Sequence, residues 1–399
     1  MKKLLTILLA VCLLLSCCPA AAAVSAYEYT SRDKQEIETF LGWFRWIGTD
    51  YSGAEPWKAK TDWHTSGLLG ALVQNPLAVD YAVYPVEQPD LSWDIRKDPL
   101  GKWSGYWRFP ETSVDWVLTY VFALPEKDIA AMKASVDAGK EPYIYRYNGA
   151  YYSFPGGVGG GYEAKITRMT KDAYYYRVTY RLSGGDGYWE DMGVRYALFT
   201  RSGYDGKEYW ALRYDGGTEP AADLPFLDVP AGSYCAGDIR WAIENSITSG
   251  TSALTFSPDG TCTRAQAVTF LWRAAGEPKA RGQGDSFRDV PPNAYYADAV
   301  AWAAANGIAG GTGDGRFDPD ASCSRAQIVT FLYRAAGRPA SASGASFEDV
   351  PAGLYYSTPV RWAVDNGITS GTSAGRFSPN APCTRGQIAA FLHRADGVQ

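Results

Sequence analysis

The sequence predicts an α+β domain followed by an all-α array of three helix–loop–helix repeats. Three observations carry this reading. A five-residue landmark, Phe226-Leu227-Asp228-Val229-Pro230, recurs as Phe287-Arg288-Asp289-Val290-Pro291 and Phe347-Glu348-Asp349-Val350-Pro351, at offsets of 61 and 60 residues. Residues 31–46 and 125–138 carry apolar side chains at helical spacing. From Pro142 the pattern changes to short β-rich runs separated by Gly/Asp turns, the signature of antiparallel strands. At 399 residues, 46% hydrophobic and 20% charged, the chain has material for two or three folded domains. Its formal charge of −5, spread without a basic run, argues against nucleic acid or an anionic membrane surface as the main partner.

Residues 1–26 read as a secretory leader. Lys2 and Lys3 form the charged start, Leu4 to Leu15 is apolar apart from Thr6, and small residues run to Val24-Ser25-Ala26. That apolar run is short of the ~20 residues a bilayer span needs, so cleavage after Ala26 leaves no membrane span. Leu14-Leu15-Ser16-Cys17 offers a competing reading, lipid attachment at Cys17.

Residues 27–216 form the α+β domain. Ser31–Trp46 predicts a helix with Ile37, Phe40, Leu41 and Phe44 on one side. Thr65–Val73 predicts a second, and Pro125–Ala138 a third, with Ile129, Met132 and Val136 aligned. Tyr143–Tyr147 and Ala150–Ser153 flank Asn148-Gly149, a strong hairpin signal. Strands at Glu163–Met169, Ala173–Leu182, Val194–Thr200 and Glu208–Tyr214 complete a curved meander.

This domain offers little chemistry. Residues 27–234 contain no cysteine, and His64 is the one histidine outside the repeats, which excludes a thiol nucleophile and a two-histidine metal motif. No cofactor or metal is expected. Phe154–Gly161 is glycine-rich but lacks the Gly-Lys-Ser/Thr ending of a phosphate loop, and reads as a turn. Asp62, Asp115, Glu163 and Glu190 are candidates for a glycosidase pair, against the plainer reading of solvated carboxylates. Trp103, Trp107, Tyr174 to Tyr176 and Trp189 fit β packing first and a sugar or peptide surface second.

A linker over 217–222 leads to repeats at 223–276, 284–337 and 344–397. Trp241, Trp302 and Trp362 hold the common register, as do Gly250, Gly311 and Gly371, and Arg264, Arg325 and Arg385. In the second copy, Tyr296–Ala305 predicts a helix stopped by Asn306-Gly307. A Gly-rich loop over Gly310–Gly315 follows, and Ser324-Arg325-Ala326-Gln327 opens a second helix that stops at Gly337. Ser/Thr followed three residues later by Gln is a capping box.

Capping leaves the arginine unexplained. At the first helical position it sits against the positive end of the helix dipole. Two readings follow: an anionic ligand held by arginine, open amides and dipole together, or a structural salt bridge to Asp228, Asp289 and Asp349. The tryptophans are core anchors or sugar platforms. Cys262, Cys323 and Cys383, just before the cap, read as small buried packing residues, as does Cys235, which stands where the other copies have Tyr296 and Tyr356.

Taken together, Phe287, Asp289, Trp302, Asn306-Gly307-Ile308, Gly311-Thr312, Phe317, Pro319 and Ser324–Gln327 resemble the pattern of the S-layer homology (SLH) family, three times over residues 223–399. The resemblance implies three repeats assembled as a pseudo-threefold trimer around a central helical bundle. It also implies grooves between copies that bind an anionic, pyruvylated secondary cell-wall polymer or peptidoglycan-linked polysaccharide, on a secreted protein of the cell wall or S-layer. The implied site residues are Arg264, Arg325 and Arg385, with Gly250, Gly311 and Gly371 and with Asp228, Asp289 and Asp349. The chain departs from the family's pattern: copy one has Leu254-Thr255 where the others have Gly315-Arg316 and Gly375-Arg376. Gln266, Gln327 and Gln387 replace the tetrad's Glu, Ser246 replaces a helix-ending Gly, and Gly386 replaces Ala. The functional expectation is a non-catalytic domain displayed on a wall anchor; the alternative is a wall-anchored polysaccharide hydrolase with its active site in residues 27–216.

Overall fold

The computed structural model describes residues 25–26, 28–47, 57–58, 107–122, 124–140, 144–153, 162–184, 190–279, 287–340 and 347–397. Residues 1–24 of the leader, the Thr65–Val73 helix and the Phe154–Gly161 turn lie outside the described residues. The chain divides between Asp223 and Leu224 into two compact units.

The first unit opens with β1 (Ser25–Ala26), α1 (Ser31–Ile47), β2 (Trp57–Lys58) and β3 (Trp107–Pro110). Next come α2 (Glu111–Trp116), which continues as a π-helical turn over Val117–Val121, and α3 (Glu126–Asp137). The strands β4 (Ile144–Tyr147), β5 (Ala150–Ser153), β6 (Tyr162–Lys171), β7 (Tyr176–Gly184), β8 (Glu190–Tyr204) and β9 (Lys207–Gly216) complete it. Two antiparallel sheets result, one in the order β1-β6-β7-β8-β9-β2 and one in the order β3-β5-β4. The expected hairpin is present: Asn148 and Gly149 have φ of 50° and 73°, the two left-handed residues of a type I′ turn.

Alternation along β7 sends Val178, Tyr180 and Leu182 inward, and α1 buries Ile37 and Leu41. Polar contacts fix how α1 lies. Glu38 accepts the Ile166 amide at 2.8 Å, and Asp33 accepts Arg201 Nη2 at 2.9 Å and Trp210 Nε1 at 3.2 Å.

Three features go beyond what the sequence predicts. Glu111–Val121 is helical although rich in Val and Thr, because Pro110 starts the turn and Val114, Val117, Leu118 and Val121 are buried by packing. Ser25–Ala26, at the end of the expected leader, pair with Lys171 and Thr170 at the sheet edge. The expected linker is tied down: Arg177 donates to Pro220 O, and Tyr214 to Thr218 O.

The second unit is helical: α4 (Ala236–Glu244), α5 (Arg264–Ala274), α6 (Ala297–Ala305), α7 (Arg325–Ala335), α8 (Ser357–Asp365) and α9 (Arg385–Asp396), two per repeat. The second helix of each repeat packs against the first helix of another: α5 on α6, α7 on α8 and α9 on α4. The second helices α5, α7 and α9 also contact one another pairwise. Val268, Val329 and Ile388 are fully buried in the shared core. The chain closes on itself through the three cysteine backbones. Cys323 N donates to Cys262 O at 2.9 Å, Cys383 N to Cys323 O at 2.8 Å, and Cys262 N to Cys383 O at 3.0 Å.

Grooves between the repeats as a candidate functional site

Each repeat builds its loop from its leading aspartate. Asp289 accepts the amides of Phe317 and Asp318, both at 2.8 Å, and Asp228 and Asp349 do the same in their own repeats at 2.8–2.9 Å. Burial works against the charge of Asp289 and Asp349, but these amide bonds outweigh it and hold both carboxyls below the usual range. The loop glycine sits against this structure. A Cβ on Gly311 would lie 2.6 Å from Arg316 O and 2.9 Å from Phe287 Cε1, and Gly371 and Gly250 are in the same position, so no larger residue fits.

The second helix starts where the loop of another repeat ends. All three capping boxes are formed, by Thr263–Gln266, Ser324–Gln327 and Thr384–Gln387. Gln therefore supplies the reciprocal bond that Glu would. The next two amides are also taken. Arg264 N donates to Ala321 O at 2.8 Å and Ala265 N to Pro319 O at 3.0 Å; the pairs beginning at Arg325 and Arg385 repeat this with the loops of repeats three and one. These helix starts carry no open amides for an anion, so that element of the sequence reading does not hold.

The arginine side chains follow the same cyclic rule. Arg264 Nε donates to Phe317 O at 3.0 Å, Arg325 Nε to Phe377 O at 2.9 Å and Arg385 Nε to Phe256 O at 2.9 Å. Each guanidinium lies 4.7–4.8 Å from the ring centre of that same phenylalanine. Their second bonds differ. Arg264 Nη2 reaches Gly310 O at 3.1 Å and Arg325 Nη2 reaches Thr369 Oγ1 at 3.2 Å, whereas Arg385 Nη2 is buried without a partner.

Arg264, Arg325 and Arg385 are only 4–5% exposed, and burial lowers the pKa of all three. Among the described residues no carboxylate is ion-paired with any of them, so the expected bridge to Asp228, Asp289 and Asp349 is not formed; those acids act on the arginines only at a distance. A guanidinium keeps its proton even when buried. Each junction between repeats therefore holds a buried arginine charge met directly by a carbonyl oxygen and a ring face, and for Arg325 by the Thr369 hydroxyl, with carboxylates acting only from a distance.

Trp302 and Trp362 are buried, at 7% and 2% exposure, in the helical core. Trp241 is half-buried and stacks on His393, ring centres 4.8 Å apart, while His393 Nδ1 meets Asp238 Oδ1 at 2.7 Å across the closure of repeat three on repeat one. Cys235, Cys262, Cys323 and Cys383 are buried free thiols. Burial pushes Cys262 and Cys383 up to about 12.

The aromatic residues that sequence reasoning missed are Tyr234, Tyr295 and Tyr355. They are exposed by 61%, 62% and 58% at one equivalent position per repeat. Their 61- and 60-residue spacing was the available signal.

In the first unit, Asp115 meets Lys133 Nζ at 2.6 Å, and the same lysine meets Glu111 at 2.7 Å. Arg146 joins the group through Glu111 and Asp137. Burial, opposed by Lys133, raises Asp115. Glu163 is exposed on β6. Asp62, His64, Trp103 and Trp189 lie outside the described residues, as does the side chain of Glu190.

Paired helices repeated in tandem, each hooked by an arginine into the loop of another repeat, define a repeat-built helical module. The family profile described as the S-layer homology domain matches residues 225–268, 286–329 and 346–389. The chain thus carries three S-layer homology domains. It is similar to a cell surface protein of Thermoanaerobacter kivui, 31% identical over 179 residues that make up 44% of this chain and 22% of that protein. It is also similar to the S-layer protein EA1 of Bacillus anthracis, 26% identical over 179 residues, 44% of this chain and 20% of that protein. An endoglucanase of Bacillus sp. (strain KSM-635) is 35% identical over 112 residues, 28% of this chain and 12% of the enzyme. The chain spans about a fifth of the first two relatives and less of the third. The domains and relatives together indicate a secreted cell-surface protein. Among the described residues no helix is long and apolar enough to cross a membrane.

Proposed function

We propose that the second unit is a pseudo-threefold anchor that holds the protein non-covalently to an acidic wall polysaccharide, with carboxylate-bearing sugars in the grooves between repeats. The observation that carries this is a buried cation at each junction with no ion-paired carboxylate among the described residues. Arg264, Arg325 and Arg385 are buried against carbonyls and phenylalanine rings with no acidic partner. A sugar carboxylate entering the groove supplies the missing counter-charge in a low-dielectric setting, where it counts most. Gly250, Gly311 and Gly371 keep the loops low beside the arginines, and Asp228, Asp289 and Asp349 hold those loops in shape. Of the tryptophans, Trp241 is the one with surface to offer; Trp302 and Trp362 support the groove from within the core.

In this reading the first unit is displayed cargo without catalysis. Two of its candidate acids support this: Asp115 is paired with Lys133, which also binds Glu111, and Glu163 is exposed. The experiment is cosedimentation of the full chain with purified wall sacculi, before and after chemical removal of their attached polysaccharide. Binding is expected to disappear with the polymer. Equal binding to bare peptidoglycan refutes the proposal.

A further inference from the structure

Tyr234, Tyr295 and Tyr355 leave their rings largely exposed at one equivalent position of each repeat, although Tyr234 also hydrogen-bonds the capping residue Thr384. An isolated exposed tyrosine needs no explanation. Three at one register position, each about 60% exposed, do.

Their neighbours show what each copy has kept. The next residue inward is Tyr296, which is half-buried, and Tyr356, which is buried; in the first repeat it is Cys235, fully buried. Repeat one thus has cysteine at the inner position and, like the others, tyrosine at the outer one. The inner rings also brace the outer ones edge-on. Tyr295–Tyr296 and Tyr355–Tyr356 have ring centres 5.0 Å apart and interplanar angles of 85° and 90°. In repeats two and three the outer ring therefore packs against a neighbouring ring, whereas Tyr234 has Cys235 in that place.

The position of these rings relative to the arginines is cyclic too. Tyr355 lies within electrostatic reach of Arg264, Tyr295 of Arg385 and Tyr234 of Arg325. Arg264 comes from repeat one and bonds the loop of repeat two, and its tyrosine comes from repeat three. The other two grooves follow the same permutation. Each groove thus combines a cation from one repeat, a loop from a second and an exposed aromatic face from the third.

Resting on the groove reading above, we infer that Tyr234, Tyr295 and Tyr355 are stacking platforms, each taking the apolar face of a pyranose ring whose carboxylate is drawn toward the arginine. The aromatic face recognises the C–H side of a sugar while the guanidinium recognises its charge. The site therefore selects an acidic sugar over a neutral sugar or a simple anion.

The test uses the full chain and sacculi that carry, or have been stripped of, their polysaccharide. Four proteins are compared: the unaltered chain, the triple Tyr→Ala variant, the triple Tyr→Phe variant, and Tyr295→Ala alone. Thermal unfolding should stay cooperative in all and fall only slightly, because the replaced rings are largely exposed and lose one ring contact each at Tyr295 and Tyr355 and the Thr384 bond at Tyr234. The triple Tyr→Ala variant is expected to bind polymer-bearing sacculi about tenfold or more weakly, since losses at linked grooves multiply. The triple Tyr→Phe variant should retain binding, and Tyr295→Ala should fall between. If the unaltered chain needs the polymer but triple Tyr→Ala binds equally well, the platforms are refuted and the groove reading stands. If Tyr→Phe is as weak as Tyr→Ala, the hydroxyl acts rather than the ring, and stacking is refuted. If the unaltered chain binds stripped sacculi equally, the groove reading itself fails.

Discussion

Replacing Arg325 with alanine tests whether the arginines join the repeats. The substitution removes the bonds from Nε to Phe377 O (2.9 Å) and from Nη2 to Thr369 Oγ1 (3.2 Å). It also removes the guanidinium from the faces of Phe377 and Phe391, 4.8 and 5.4 Å away. Hydrogen bonds from a charged donor contribute about 1.5–3 kcal/mol each, and the cation–π contacts about 0.5–2 kcal/mol. Against these stands the dehydration of a cation that is only 4% exposed, several kcal/mol regained when the charge is deleted. The net expectation is a loss of about 2–4 kcal/mol, part of it from stranding the Phe377 carbonyl. Arg325→Met, which fills the volume but makes no bonds, should lose less. Urea unfolding followed by thiol labelling measures this cleanly: residues 27–234 contain no cysteine, so Cys235, Cys262, Cys323 and Cys383 report on the second unit alone. A loss below about 0.5 kcal/mol for Arg325→Ala refutes the account of the arginine as a junction bond.

Three further outcomes are expected. Ser246 occupies a left-handed position (φ 58°) that Gly307 and Gly367 fill in the other repeats, so Ser246→Gly should stabilise the second unit by about 0.5–1 kcal/mol in the same urea assay. Gly311→Ala should destabilise it by more than about 2 kcal/mol, because the new methyl would lie 2.6 Å from Arg316 O. The folded-state pKa values of Asp289 and Asp349 are depressed. Their contribution is therefore complete above the ordinary aspartate range near pH 4 and is lost as pH falls through the lower folded values. An unfolding midpoint that declines on acidification below about pH 4, and declines less in Asp289→Asn, checks the sign.

The repeat made most of the anchor legible, because a side chain needed three times leaves its spacing in the sequence. Helix starts, capping boxes and loop glycines were readable for that reason. What was not readable is to which repeat each group reports. Arg264 and Arg325 reach forward into the following repeat, but Arg385 reaches Phe256 O, 129 residues back. Spacing alone cannot tell a closed ring from an open stack, nor show that the first-turn amides that looked free for an anion are filled by loops of other repeats, those of Arg385 and Gly386 through the closure onto repeat one. In the first unit, Asn148-Gly149 announced its hairpin because both residues must be left-handed. The helix at Glu111–Val121 was missed because its Val and Thr residues favour strands and packing overrode them. The exposed tyrosines were overlooked because an aromatic pair such as Tyr295-Tyr296 reads as core until one member is seen to be outside it.

The central claim is that buried arginines recognise negative charge on a wall sugar. The most direct measurement leaves the protein unaltered, since the arginines also hold the fold, and changes the ligand instead. Polysaccharide released from sacculi is titrated into the full chain by calorimetry, before and after reduction of its carboxylates to alcohols. The account predicts that binding to the reduced polymer falls at least a hundredfold, in line with loss of one charged contact in each of several linked grooves. Equal affinity for the native and the neutral polymer would contradict it.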